Sequence, residues 1–170
     1  FGDGAGAALI GPVPEGRGWI GGKGGSLGNE AECLFVPGGG SARGPEETLS
    51  GRERSLYMDG GAVFGFARDT IPVAIRDVCA LAGIAPDAID VLVPHQSNRR
   101  ILDGAMDTLG WARDDPRLVV NLERFGNTAA ASVAIAMDEA ARDGRLQPGA
   151  LVCLVAYGAG ISWTAALLRW

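Results

Sequence analysis

Histidine is nearly absent from this chain: His95 stands alone in 170 residues, so no site built on several imidazoles can form. Cysteine is scarce as well. Cys33, Cys79 and Cys153 lie far apart with no Cys-x-x-Cys pair, so neither a disulfide framework nor a zinc site is expected, and the thiols are read as reduced. Basic charge is in the minority, with 15 Lys and Arg against 20 Asp and Glu and a net charge of -5. That balance argues against nucleic acid or an anionic membrane as the main partner. No apolar run approaches the ~20 residues that span a bilayer, and no charged-then-apolar leader opens the chain, so the expectation is a cytoplasmic protein. An initiating methionine is also lacking. The chain opens on Phe1, inside or beside a strand, as expected of a piece preceded by more polypeptide.

What the chain does have is apolar content, 47% of residues, enough for one domain over 1–170 with a sizeable core. Its organising stretch is Val91-Leu92-Val93-Pro94-His95-Gln96-Ser97-Asn98. The ring of Pro94 disfavours the α region for Val93, so a short buried strand is expected to end here and deliver His95 at its C-terminal end. Open α/β sheets place their chemistry at that edge. A lone histidine is more often a satisfied core or surface residue, and what lies downstream decides between the two readings.

Residues 1–10 read as a glycine-rich turn running into a strand. Their Gly-x-Gly-x-Gly spacing and lack of a following helix exclude a dinucleotide fingerprint and favour a close-packed strand junction. Residues 11–57, rich in glycine, proline and charge, are expected to be surface loop with short strands near Trp19-Ile20 and Cys33 to Pro37, pairing with the first strand; no chemistry is assigned to them. Helical spacing starts near Gly61 and runs through Val63, Phe64, Ala67, Ile71, Ile75, Val78 and Leu81 to a stop at Gly83, with a kink or break expected at Pro72. A second helix carries Ile101, Leu102, Ala105, Met106 and Leu109 and stops at Gly110. Leu118 to Val120 reads as a buried strand. The helix from Thr128 is small or apolar almost all round until Asp138, which marks burial on several sides. Residues 150–156 and 161–168 form two last strands around a Tyr157-Gly158-Ala159-Gly160 corner. The alternation predicts an α/β fold, a mixed five-stranded sheet with helices on both faces.

His95 and Asn127 are 32 positions apart, about a helix, a strand and a turn, which would bring equivalent strand ends together. Two side-chain donors aimed at one oxygen stabilise an enolate or oxyanion by ~3 kcal/mol each. The competing reading of Asn127 is a helix N-cap. Residues 158–160 offer backbone N–H groups to a ligand, or merely a tight hairpin corner.

Four motifs occur together: Phe1-Gly2-Asp3-Gly4-Ala5-Gly6, Pro94-His95-Gln96-Ser97-Asn98, Gly126-Asn127-Thr128-Ala129-Ala130-Ala131-Ser132 and Tyr157-Gly158-Ala159-Gly160. In this combination the chain resembles the C-terminal half of β-ketoacyl-[acyl carrier protein] synthase III, a thiolase-fold condensing enzyme, with only the loop before Tyr57 loosely matched. The resemblance implies a decarboxylating Claisen condensation of an acyl-CoA starter with malonyl-carrier protein in fatty acid or polyketide initiation. It needs no cofactor or metal, and the complete enzyme would be a homodimer. His95 and Asn127 match the family's catalytic pair, and Ala159 its backbone oxyanion contact. Asn98 matches a residue near the pantetheine arm and Arg100 one that docks the acidic carrier protein; Phe64 falls on the same substrate and carrier side. Gln96 is expected to support the loop. Ser97 replaces the more usual alanine, and the polar residue often found near Gly61 is absent. The family's nucleophilic cysteine lies N-terminal to the matched region, so an N-terminal half in the same or another chain is implied. Two other readings stay open: a relative that transfers acyl groups in secondary metabolism, and an inactive half-domain retained for binding, against which the intact His95 and Asn127 count.

Overall fold

The computed structural model describes residues 1–41, 43 and 49–170, so the part of the expected 11–57 loop at 42 and 44–48 lies outside the described residues. Its core is a mixed sheet in which β1 (Gly18–Ser26), β6 (Ser162–Arg169), β5 (Leu151–Gly158) and β4 (Val91–Pro94) lie side by side in that order. β4 and β5 run parallel, with Val91 opposite Val152 and Pro94 opposite Val155. β5 and β6 form an antiparallel hairpin, and β1 closes the far edge against β6. The expected fifth strand is reduced to one parallel bridge, Leu118 against Leu92, flanked by Leu92 N–H to Arg117 O (2.8 Å) and Val119 N–H to Leu92 O (2.9 Å). A small separate ribbon pairs β2 (Leu34–Phe35) with β3 (Tyr57–Met58).

Helices cover both faces, as the alternation of elements predicts. On one face, α1 (Gly60–Leu81) and α2 (Arg99–Leu109) enclose Ile75, Val78, Leu92, Met106 and Leu167. After the short α3 (Leu122–Phe125), α4 (Ala131–Arg142) returns across the other face and buries Ala136 and Ala140 against Val91, Val93 and Val152. β4 therefore carries its chain out over one face through α2 and back over the other through α4. That path leaves the C-terminal ends of β4 and of the Leu118 segment side by side.

Three expectations are corrected. Pro72 does not break α1 into two helices; α1 is one 22-residue helix. Proline costs ~3 kcal/mol in a helix interior, but one stripe buries Ala67, Ile71, Ile75 and Val78, each large member contributing about 1.5–3 kcal/mol, so packing outweighs the lost bond. Residues 1–10 are not a strand within this chain. Gly2, Gly4 and Gly6 press instead on Phe125 and Thr128, on Ile135 and on Ala134, so the close packing expected of them is against α4 and the loop before it, while Leu9 and Ile10 stand in solvent. The glycine run 21–25 is not loop but the middle of β1, and β1 pairs with β6 and not with residues 1–10.

Two of the β1 glycines are covered by indoles, Gly22 by Trp19 and Gly25 by Trp163. Trp163 lies opposite Gly25, its ring occupying the space a Cβ there would need, and the same ring meets Phe66 at 5.9 Å between centroids. Valine, ordinarily a better strand residue than glycine, should therefore be worse here. Gly25→Val is expected to destabilise the protein by about 1–3 kcal/mol through overpacking, read as a lower denaturant midpoint. An unchanged or raised midpoint would show that the ring yields freely.

Candidate active site

β4 ends at Pro94, and the next residue continues its ladder by one bond, His95 N–H to Val155 O at 2.8 Å. The imidazole thus emerges at the C-terminal edge of the sheet, where the 91–98 stretch predicts it. Gln96 follows, fully buried, and its carboxamide uses three bonds. Nε2 donates to Pro94 O (2.9 Å) and Val119 O (3.0 Å), and Oε1 accepts from Asn121 N–H (3.0 Å). Asn121 in turn donates to Glu139 (2.7 Å), which pairs with Arg124 (2.8 Å). The expectation that Gln96 supports the loop holds, and the loop it supports joins both strand ends.

Asn127 lies three residues before Ala130, the residue that caps α4, so it is not the helix N-cap. Its Oδ1 accepts from Ala129 N–H at 2.9 Å, a local turn that holds Ala129 at φ 49°. With the oxygen so engaged, Nδ2 is the end of the amide available to a ligand. Its backbone carbonyl receives Gly2 N–H at 2.8 Å, tying the N-terminal arm to this loop.

His95 and Asn127 both line one cleft of about 940 Å³, together with Ser97, Asn98, Phe64 and Ala159. Asn98 also caps α2, its side chain accepting from Arg100 N–H at 2.9 Å. Arg100 does not line that cleft. It sits in a smaller groove sharing Phe64, its guanidinium 5.5 Å above the phenyl ring, beside Arg68 and Arg113. Those two arginines are matched to Asp69 (2.7 Å) and Asp107 (2.6 Å), whereas Arg100 has no carboxylate partner among the described residues.

Burial holds the His95 imidazole below its ordinary pKa of 6.5, so the ring is neutral at neutral pH and carries one N–H. Two contacts that sequence reasoning missed orient it. Ser132 Oγ lies 2.6 Å from His95 Nδ1, and the Tyr157 ring meets the imidazole edge-on at 5.2 Å. The Tyr157 hydroxyl is hydrogen-bonded to Ser97, and burial raises its pKa, so the phenol stays neutral. The available signal was a hydroxyl at position 132 in an otherwise small and apolar helix.

All three thiols are shifted away from the thiolate form. Burial pushes Cys79 and Cys153 up, and partial burial with the Glu30 carboxylate does the same to Cys33, whereas a reactive thiol needs the opposite shift.

Residues 79–170 match the family model described as 3-oxoacyl-[acyl-carrier-protein] synthase III C terminal. The chain belongs to this family. Curated β-ketoacyl-[acyl-carrier-protein] synthase III proteins from Caldanaerobacter subterraneus subsp. tengcongensis and Symbiobacterium thermophilum are 40% and 43% identical to it, each match covering 100% of this chain and 51% of the relative. The synthase III structure from Thermus thermophilus superposes with a TM-score of 0.81 at 39% identity, over 95% of this chain and 49% of that one. The priming β-ketosynthase of the R1128 polyketide pathway gives 0.74 at 31%, over 89% and 45%. The chain thus spans about half the length of the curated synthase III relatives it matches, corresponds to their C-terminal half and shares their thiolase-like α/β fold. Among the described residues, no helix is long and apolar enough to cross a membrane.

Gln96 supplies the clearest stability test of this site. Gln96→Leu keeps the volume but strips partners from two carbonyls and one N–H in the interior, at about 1–3 kcal/mol per orphaned group. A loss of about 3 kcal/mol or more is expected in equilibrium unfolding; a loss under about 1 kcal/mol would mean that water replaces the carboxamide.

Proposed function

We propose that this chain is the C-terminal half of a condensing enzyme that joins an acyl-CoA starter to malonyl-carrier protein, with the nucleophilic cysteine supplied by an N-terminal half in the same or a separate chain. The observation that carries the proposal is the convergence of His95 and Asn127 on one cleft in a member of the synthase III family. The raised thiols of Cys33, Cys79 and Cys153 support a nucleophile elsewhere. Exposed Leu9 and Ile10 support a companion that covers them.

In this reading the starter acyl group first becomes a thioester of the companion's cysteine, and coenzyme A leaves as the thiol. Malonyl-carrier protein then enters. The bond between its carboxylate and α-carbon breaks, CO2 departs, and the electron pair moves onto the thioester oxygen as an enolate. Neutral His95 and Asn127 Nδ2 donate to that oxygen, so their bonds strengthen as charge develops. The α-carbon attacks the acyl-cysteine carbonyl, whose oxyanion is met by backbone N–H groups including that of Ala159, and the cysteine thiolate leaves. Asn98 and Phe64 line the pantetheine path, and Arg100, with no carboxylate partner among the described residues, meets the acidic carrier protein at the rim. No cofactor or metal is needed. The complete enzyme works as a cytoplasmic homodimer. Priming of a polyketide in place of a fatty acid is the second reading, favoured by the likeness to the R1128 ketosynthase.

Two measurements test the proposal in the full-length enzyme. Radiolabelled acyl-CoA is expected to label a cysteine outside this chain; label on Cys33, Cys79 or Cys153 overturns the missing-nucleophile assignment. CO2 release from malonyl-carrier protein, followed separately from acyl transfer, is expected to fall ~100-fold or more in His95→Ala and Asn127→Ala, with acyl transfer largely retained. In the wild type, CO2 release should decline as acid protonates His95, with the limb below pH 6.5 because the pKa is lowered. Folded variants that release CO2 at the wild-type rate would refute the enolate role.

A further inference from the structure

Ser132 is 1% exposed and is the polar member of a buried α4 stripe completed by Ala136 and Ala140. Its Oγ has two partners among the described residues: the Gln96 backbone N–H at 3.2 Å and His95 Nδ1 at 2.6 Å. The first can only donate, so it occupies an oxygen lone pair. For the second, two arrangements exist. If Nδ1 carried the proton, it would take the other lone pair and leave the Ser132 hydroxyl hydrogen without an acceptor in the interior. If Nδ1 is bare, the hydroxyl donates to it and every group is satisfied. We propose that Ser132 is the positioning residue of this site: its hydroxyl, aimed by the Gln96 N–H, donates to Nδ1 and so fixes His95 as the tautomer whose proton sits on Nε2.

The proposal rests on the reading that neutral His95 donates to a substrate oxygen, and it adds which nitrogen does so and what decides it. Against the imidazole stand Ser132 from α4 and Tyr157 from β5. Tyr157 is the titratable one, and no carboxylate or cation contacts the ring among the described residues. With no charged partner to hold the ring, a single neutral hydroxyl sets its proton. Gln96 reinforces this, because its buried side chain immobilises the peptide whose N–H orients Ser132. Protonating the imidazole would turn Nδ1 into a donor facing a donor. The Ser132 contact therefore favours the neutral ring, and removing it lets the pKa rise.

The test uses the full-length enzyme labelled with 15N at histidine, with the His95 resonances identified by their loss in His95→Gln. Long-range proton–nitrogen spectra at neutral pH are expected to show wild-type Nε2 protonated and Nδ1 bare. Ser132→Ala is expected to mix the two tautomers, move the acid limb of CO2 release to higher pH, and slow that release by about tenfold or more, with acyl transfer to the cysteine little changed. Ser132→Thr, which keeps the hydroxyl, should restore tautomer and pH limb. A wild-type ring protonated on Nδ1 overturns the proposal, as does a folded Ser132→Ala whose tautomer and pH limb are those of the wild type. If His95→Ala releases CO2 normally, the condensing role fails, while the spectra still decide what Ser132 does.

Discussion

A carboxamide with nothing else to bond to holds this structure together at its working edge. Gln96 is sealed from water, so its hydrogen bonds must be made within the protein, and they are made to Pro94, Val119 and Asn121. Those partners belong to β4, the bridge segment beside it and the start of the turn into α3. Each bond is geometrically strict because a mismade one leaves a buried polar group unpaired. The spacing between the two strand ends is thereby fixed, and with it the separation of the imidazole from the turn that carries Asn127. Arg124 and Glu139 extend the same network to the surface, bracing α4 from outside.

The sequence was most legible where local chemistry and tertiary packing agree. Pro94 both ends β4 and restrains the residue before it, so His95 fell where a proline-terminated strand must deliver it. Gly83 and Gly110 both adopt positive φ at the ends of their helices, the conformation that makes glycine a stop signal. It misled where packing overrides local preference. Residues 21–25 have the composition of a loop, but at Gly22 and Gly25 the space of the missing side chain is filled by the rings of Trp19 and of Trp163, the latter on a neighbouring strand that no local window includes. Pro72 misled in the same way, its penalty absorbed by a long buried stripe. Residues 1–10 have a strand's pattern without a strand's partner among the described residues.

Within the candidate site, the residues with unusual chemistry were legible and those that aim them were not. His95 and Asn127 stand out because no second histidine competes and because an amide stands just before a run of small residues. Ser132 and Tyr157 are ordinary residue types at positions that only three-dimensional proximity to the imidazole makes meaningful. Arg100 falls between the two cases. Its charge was readable from the sequence, but its seat over Phe64, outside the main cleft and beside two arginines already neutralised by carboxylates, emerges only from the fold.

The pairing of β1 with β6 matches Gly18 to Arg169, nearly the full span of the chain. During synthesis β1 therefore has no ladder to join until β6 has been made, and a glycine-rich strand must wait through the appearance of α1, α2, α3 and α4. Contacts of such separation are slow to form and leave strand edges open meanwhile. Its five glycines leave the waiting strand few side chains to bury, and the space beside Gly25 is filled by the Trp163 ring once β6 arrives.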